Sequence, residues 1–215
     1  MTTRRRIICC ILSFLAFSSC GVLVNDAPQR IVRVKVLADP ALRERNPRWD
    51  AEVRGLIEAS SDYFENEFGV RFITQSTAAW PQEKISSTAE LLTHLKQDFP
   101  LNRNNGGYDL IVAFTAERVN PYFGGRGRVD RIGDCVQGLG NYVVSYVSTP
   151  FRYTGVMKEP TIDVIGLVHE LGHIFGAEHT QDTQSIMNEN FGYRSEFDMK
   201  NRNVILKNRN CPFGK

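Results

Sequence analysis

The segment from His169 to His179, HELGHIFGAEH, constrains this chain more than any other. The chain contains four histidines, and three of them lie in this segment, at positions 169, 173 and 179. Residues four apart share one face of a helix, so His169 and His173 direct their imidazoles towards one point. A helix cannot bring His179 to that point, but Gly176 tolerates the left-handed backbone of a sharp turn. The spacing therefore predicts a helix that ends near Gly176 and three imidazoles around one metal ion.

The predicted metal site has the composition of a catalytic zinc centre. Structural zinc sites are closed by four protein ligands, whereas three imidazoles leave a fourth position for water. Zinc lowers the pKa of such a water to roughly 7, and Glu170 is placed next to the first histidine to accept its proton. Chance is the competing explanation, because a lone HExxH occurs on ordinary amphipathic helices. The five fixed positions of the longer pattern and the later methionine, Met187, disfavour that explanation.

The pattern H-E-x-x-H-x-x-G-x-x-H with a later methionine resembles the metzincin clan of zinc endopeptidases. The resemblance implies an enzyme that binds one catalytic zinc ion and cleaves peptide or protein substrates. The metal ligands that it implies are His169, His173 and His179, and the implied general base is Glu170. It assigns to Met187 an apolar floor beneath the ligands, although a methionine more often simply fills a core. The rival hypothesis is a non-proteolytic zinc protein of the cell envelope on the same scaffold, and the intact Glu170 counts against it.

Three features bear on the metzincin subfamily. Gly172 and Thr180 resemble matrixin usage, whereas the sequence YDLIVAFT at 108–115 resembles the reprolysins. Glu189 stands where astacins and serralysins carry a tyrosine after the methionine, so a fifth, tyrosine zinc ligand is not expected. The subfamily therefore stays open between a matrixin-like and a reprolysin-like domain.

Hydrophobic periodicity predicts both strands and helices, and the metzincin resemblance implies a mixed α/β domain of the α+β class with a twisted, mostly parallel sheet. The segment Ile31–Leu37 alternates apolar and charged residues, as a half-buried strand does, and Pro47–Phe68 has apolar residues at helical spacing. A helix between two strands indicates parallel pairing. The remaining predicted strands are 70–74, 108–115 and 142–148, and the remaining helices are 87–99, the zinc helix 161–175 and the C-terminal helix 195–208.

The metzincin resemblance implies one antiparallel edge strand directly before the zinc helix. In this chain that position falls on Tyr142, Val143, Val144, Ser145 and Tyr146. An exposed edge offers unpaired N–H and C=O groups, so this strand is expected to hold an extended peptide substrate. The alternative is an interior strand without substrate contact. The Gly- and Arg-rich stretch 116–140 is predicted to be a loop over the cleft.

The first 19 residues have the pattern of an export signal. Arginines at positions 4–6 precede an apolar run at 7–17, which is about half the length needed to span a bilayer. Cys20 stands in a sequence that resembles a bacterial lipobox, so lipidation of Cys20 and ordinary cleavage near Ser19 are the two alternatives. The predicted organisation is a signal peptide at 1–19, a tether at 20–30 and a catalytic domain at 31–215. The protein is expected to be exported, as a cell-envelope lipoprotein or in secreted form.

Charge and cysteine content restrict the partners. Removing residues 1–19 removes three arginines and no acids, which leaves 23 basic and 24 acidic residues. This balance argues against nucleic acid as an obligatory partner, because such binding needs a basic surface. A monomer is expected, with membrane contact only through a lipid anchor. Cys135 and Cys211 remain after the signal and lipidation cysteines, and they form either a disulfide or two free buried thiols.

Overall fold

The structure, a computed structural model of the 215-residue chain, describes residues 29–82, 87–100, 107–117, 126–155, 160–190 and 192–214. The predicted signal peptide at 1–19, the lipidation candidate Cys20 and the tether up to residue 28 lie outside these ranges and stay predictions. Among the described residues, no helix is both long enough and apolar enough to cross a membrane.

Five strands of the described chain form one sheet. They are β1 (Arg30–Ala38), β2 (Val70–Ala79), β3 (Leu110–Thr115), β4 (Gly127–Val129) and β5 (Tyr142–Tyr146), and their order is β2-β1-β3-β5-β4. The pairs β1–β2, β1–β3 and β3–β5 are parallel, and the pair β4–β5 is antiparallel. β3 is central and all its residues are buried, which agrees with its uninterrupted apolar sequence.

Helices cover both faces of the sheet. They are α1 (Pro40–Arg45), α2 (Trp49–Phe68), α3 (Thr88–Asp98), α4 (Ile162–Ile174) and α5 (Met199–Asn208). α2 and α4 pack on one face, where Val34, Phe72 and Val143 belong to the main core. α3 packs on the other face against Ile111 and Val144. This architecture confirms the predicted mixed α/β fold, with the zinc helix and the C-terminal helix in the predicted order.

The assignment of the antiparallel edge strand to Tyr142–Tyr146 is wrong. β5 has a neighbour on each side, because it pairs in parallel with β3 and antiparallel with β4. Among the described strands, the antiparallel edge strand is β4, which lies within the stretch 116–140 that the sequence predicts to be a loop. The apolar, β-branched sequence YVVSY is typical of a strand covered on both faces, whereas three residues of Gly, Arg and Val give too weak a strand signal.

Capping residues decide the helix ends that differ from the predictions. α5 begins at Met199 and not at Ser195, because the Asp198 carboxylate accepts the Asn201 N–H at 3.0 Å. The sequence does not predict α1, which begins after Asp39 because that carboxylate accepts an N–H of its first turn at 2.8 Å. α2 ends as predicted, since Gly69 after it has a left-handed φ of +69°.

Candidate metal centre

The buried helix α4 carries the first two histidines of the cluster. Its start is capped by the Thr161 hydroxyl, which accepts the Val164 N–H at 3.4 Å. His169 and His173 lie about one turn apart on this helix and are only 4% and 6% exposed. Because the helix is packed on all sides, its position fixes where these two imidazoles point.

A tight turn after α4 brings His179 back to the two helical histidines. Gly176 has a φ of +97°, and a Cβ there would lie 2.5 Å from both the Asn208 Nδ2 atom and the Gly133 carbonyl oxygen. Glycine is therefore required at this position for its backbone conformation and for space. The turn predicted at Gly176 is confirmed.

The three imidazoles converge through their Nε2 atoms. The Nε2 of His173 lies 3.1 Å from that of His169 and 3.2 Å from that of His179, and the third separation is 3.3 Å. Ligands held tetrahedrally at zinc–nitrogen distances of about 2.0–2.1 Å are themselves roughly 3.3 Å apart. The three Nε2 atoms therefore have the separations of a tetrahedral zinc site, and together they form a group able to hold a metal ion.

The second ring nitrogen of each histidine, Nδ1, faces an oxygen atom. The partners are the Ile186 carbonyl for His169 and the Ala177 carbonyl for His173, both hydrogen-bonded at 2.7 Å, while a Glu189 carboxylate oxygen lies 3.1 Å from Nδ1 of His179. Carbonyl oxygens only accept hydrogen bonds, so Nδ1 of His169 and of His173 carries the proton and Nε2 presents a lone pair, and the nearby carboxylate favours the same tautomer at His179. Such outer partners fix the ring orientation of metal-binding histidines.

The protonation of the two helical histidines also fits a metal ion. Burial, with a smaller contribution from His173, lowers the pKa of His169 to about 3, and burial lowers the pKa of His173 to about 4. Both imidazoles are therefore neutral at pH 7, which is the form that binds metals. Three lone pairs directed at one another repel unless a cation lies between them. The donor set, its tautomers and its spacing thus fit a zinc ion.

The methionine turn holds the acceptor for His169 in place. The Ile186 N–H donates to the Glu196 carbonyl at 2.7 Å, while the Ile186 carbonyl accepts from His169. Met187 is fully buried, and its sulfur would lie 2.9 Å from a Cβ added at Gly172. Met187 therefore packs against α4 between the two helical ligands, a position suited to the predicted apolar floor.

Glu170 is buried beside the histidines and touches the edge strand. It is 8% exposed, and a Cβ added at Gly127 of β4 would lie 2.6–2.8 Å from its Cγ, Cδ and Oε1 atoms. Burial raises the pKa of Glu170 to about 8, and the positive charge of Arg128 opposes that rise. A carboxyl group with a pKa near neutrality is able both to accept and to release a proton at pH 7.

Two segments joined by a disulfide hold the carboxyl end of α4. The disulfide links Cys135 and Cys211, whose Cα atoms are 5.0 Å apart, so the structure has the bonded alternative of the two that the sequence leaves open. In the first segment, the Gly133 N–H donates to the His173 carbonyl at 3.0 Å. In the second segment, the Asn208 side chain donates to the carbonyl of the residue after α4 at 3.1 Å. These bonds satisfy carbonyl groups that a helix end leaves without intrahelical partners.

The five residues predicted to contact substrate are mostly enclosed. Tyr142, Val143, Val144 and Ser145 are buried, and only Tyr146 is half-buried. The Tyr142 hydroxyl donates to the Phe99 carbonyl at 2.8 Å, on the α3 side of the sheet. The strand next to Glu170 is instead β4, whose Gly127 and Val129 are half-buried.

Sequence reasoning missed Asp163 in the first turn of α4. Its buried carboxylate accepts hydrogen bonds from Ser148 and Thr149, just after β5, and pairs with Arg126 at 2.6 Å. These contacts tie the zinc helix to the end of β5 and to the residue before β4. An acid in the first turn of a helix is a recognisable sequence signal, but nothing in the sequence identifies its partners.

Comparison with known protein families identifies the family to which this chain belongs. A family model described as metallo-peptidase family M12 matches residues 28–213. The chain belongs to this family. The matched region includes every strand and helix described above, as well as the three histidines and Glu170. The protein therefore has a metzincin-like metalloprotease domain, and metallopeptidases of this family are typically zinc-dependent.

The M12 metallopeptidase domain has a polar hollow of about 340 Å³ beside His179. Thr180, Asn188 and Glu189 are among the residues that line it. The side chain of His179 is 47% exposed, whereas the two helical histidines are almost fully buried. Solvent therefore reaches the metal centre from the side of His179.

Proposed function

We propose that this M12 metallopeptidase is a zinc-dependent endopeptidase with Glu170 as its general base. The ligands of its catalytic ion are His169, His173 and His179. The observation that carries the proposal is the convergence of three Nε2 atoms, two of which belong to imidazoles whose Nδ1 is hydrogen-bonded to a carbonyl oxygen. Zinc in such a site supplies Lewis-acid chemistry, which activates water and polarises the scissile carbonyl group.

Glu170 transfers the proton in this proposal. It accepts a proton from the attacking water and delivers it to the amine nitrogen of the leaving peptide, which is general base and then general acid catalysis by one carboxyl group. Its raised pKa supports the role of base, because a carboxylate whose conjugate acid has a pKa of about 8 binds a proton more strongly than an exposed glutamate does. Its contact with Gly127 places it beside the strand at which a peptide can lie.

The edge of β4 that has no partner among the described strands is the proposed binding site for the substrate, and it is called the free edge below. The Arg126 carbonyl and the Asp130 N–H form backbone hydrogen bonds with β5, at 2.8 and 3.2 Å. Backbone groups alternate in direction along an antiparallel strand, so the N–H and C=O groups of Gly127 and Val129 face the open side. An extended peptide adds there as a further strand, next to Glu170.

Export is part of the same proposal. The signal at 1–19 directs the chain out of the cytoplasm, and Cys20 is the candidate for lipidation. The disulfide between Cys135 and Cys211 supports this location, because structural disulfides persist in oxidising compartments. The enzyme acts as a monomer on peptide or protein substrates.

A zinc-containing binding protein without activity is the alternative, and one experiment separates the two. The purified protein is incubated with a library of proteome-derived peptides, with and without a chelator, and cleavage is detected by mass spectrometry. We expect cleavage that stops when the chelator removes zinc and returns when zinc is added back. Zinc-loaded protein that cleaves no peptide would support the binding protein, and cleavage that persists without metal would contradict the proposed mechanism.

A further inference from the structure

Arg128, the middle residue of the edge strand β4, is an exposed cation. The two arginines on either side of it have carboxylate partners, since Arg126 pairs with Asp163 and Arg131 pairs with Asp130. Arg128 has no ion-pair partner in the part of the chain that the structure describes. Its charge acts on Glu170, but the two do not form an ion pair, so the guanidinium group of Arg128 is available to a ligand.

The side chain of Arg128 stands on the face of the sheet away from α4. Side chains alternate between the two faces of a strand, and the Cβ direction at Gly127 meets Glu170 of α4. Val129, on the same face as Gly127, packs against the core to which α4 contributes. Arg128 therefore lies on the opposite face, as does Val144, its partner in β5, and it is one residue away from the contact with Glu170.

A peptide that pairs with the free edge of β4 presents its side chains to the same two faces. Residues directly across from each other in neighbouring strands point to the same face, so one substrate side chain lies beside Arg128. The substrate residue next to it in sequence is level with Gly127 and hence with Glu170. Because successive strand residues are only about 3.3 Å apart, the residue opposite Arg128 is within two positions of the scissile bond.

We infer that Arg128 is a specificity-determining residue that selects peptides with an acidic side chain within two residues of the scissile bond. This inference rests on the proposed endopeptidase function and names a class of substrate for it. Opposite charges directly across two strands attract, and a guanidinium group binds a carboxylate through two parallel N–H groups. A neutral side chain at the same substrate position leaves Arg128 without a partner.

Matched peptides test the inference in the zinc-loaded enzyme. One peptide that the enzyme cleaves serves as the parent. The two residues before its scissile bond and the two residues after it are changed one at a time, to glutamate or to glutamine. At one of these positions we expect kcat/KM of the glutamate peptide to exceed that of the glutamine peptide about fivefold, the upper end for an exposed ion pair. Arg128→Gln should abolish this ratio, and Arg128→Glu should invert it. Arg54→Gln, at an exposed arginine of α2, should keep the wild-type ratio.

Two results would overturn the inference. One is a ratio near one at every tested position in the wild type, and the other is a glutamate preference that Arg128→Gln leaves unchanged. Binding measurements keep this test separate from that of the proposed function. If no peptide is cleaved, the endopeptidase proposal fails. The inference about Arg128 is then tested by comparing how wild-type and Arg128→Gln protein bind an arrayed peptide library. A preference for acidic peptides that requires Arg128 supports the inference, and its absence rejects it.

Discussion

Replacing Glu170 with glutamine is expected to lower kcat/KM for peptide hydrolysis by about a thousandfold. Glutamine keeps the size of the side chain, but it cannot accept a proton from water or return one to the leaving amine. The raised pKa means that, at pH 7, the folded metal-free protein holds a proton that the unfolded chain has released, and this penalises folding. The neutral amide removes that penalty, so Glu170→Gln should be at least as stable as the wild type in denaturant unfolding at pH 7.

The control for this variant is Glu44→Gln, which changes an exposed glutamate of α1. It should cleave peptides at the wild-type rate. Zinc content measured on the same preparations should be equal in all three proteins, because Glu170 is next to the ligands and is not one of them. If Glu170→Gln cleaved at the wild-type rate, another group would have to be the base. If it lost zinc together with activity, its role would be structural.

Replacing Gly133 with alanine is expected to give the largest loss of stability, about 3–5 kcal/mol. A Cβ at this position would overlap the carbonyl oxygen of Ile174, the last residue of α4, and would lie 2.9 Å from the Leu139 Cα atom. Both neighbours are backbone, so neither can move aside by a rotamer change. The Gly133 N–H also holds the His173 carbonyl, so the displacement should reach a proposed ligand and weaken zinc binding about tenfold or more. Denaturant unfolding and chelator competition measure the two effects.

Gly155→Ala is the matched control for Gly133→Ala. Nothing lies within 4 Å of a Cβ at Gly155, but its φ of +84° is left-handed, so alanine there costs only backbone strain of about 1–2 kcal/mol. Zinc affinity should not change in this control. If the Gly133→Ala variant had the same stability and zinc affinity as the wild type, the segment that carries Cys135 would not be what holds the end of α4.

The zinc helix, its ligands and the turn after it could be predicted because their information is local. The spacing of His169 and His173 follows from helical periodicity alone, and the need for glycine at Gly176 follows from the reversal that His179 requires. Hydrophobic periodicity likewise places β3, since a strand covered on both faces has an uninterrupted apolar sequence. The order of strands and helices then follows from parallel pairing across the helical connections.

The edge strand could not be predicted because its identity depends on pairing between distant segments. β4 has three residues and is a strand only because β5 provides hydrogen-bond partners for it. The partners of Asp163 and the acceptor for His179 are likewise fixed by tertiary packing. The sequence shows Glu189 in place of a tyrosine, but it does not show that this carboxylate meets the third histidine.

In the proposed mechanism, one zinc ion bound by three imidazoles makes this chain a peptidase. The most direct measurement is to titrate zinc into metal-free protein and to record bound zinc and the cleavage rate of one peptide in the same samples. Both should rise together and reach a plateau at one ion per chain, and His179→Ala should bind zinc at least about tenfold more weakly and lose cleavage. Cleavage by metal-free protein, or a His179→Ala variant that behaves as the wild type does, would contradict the claim.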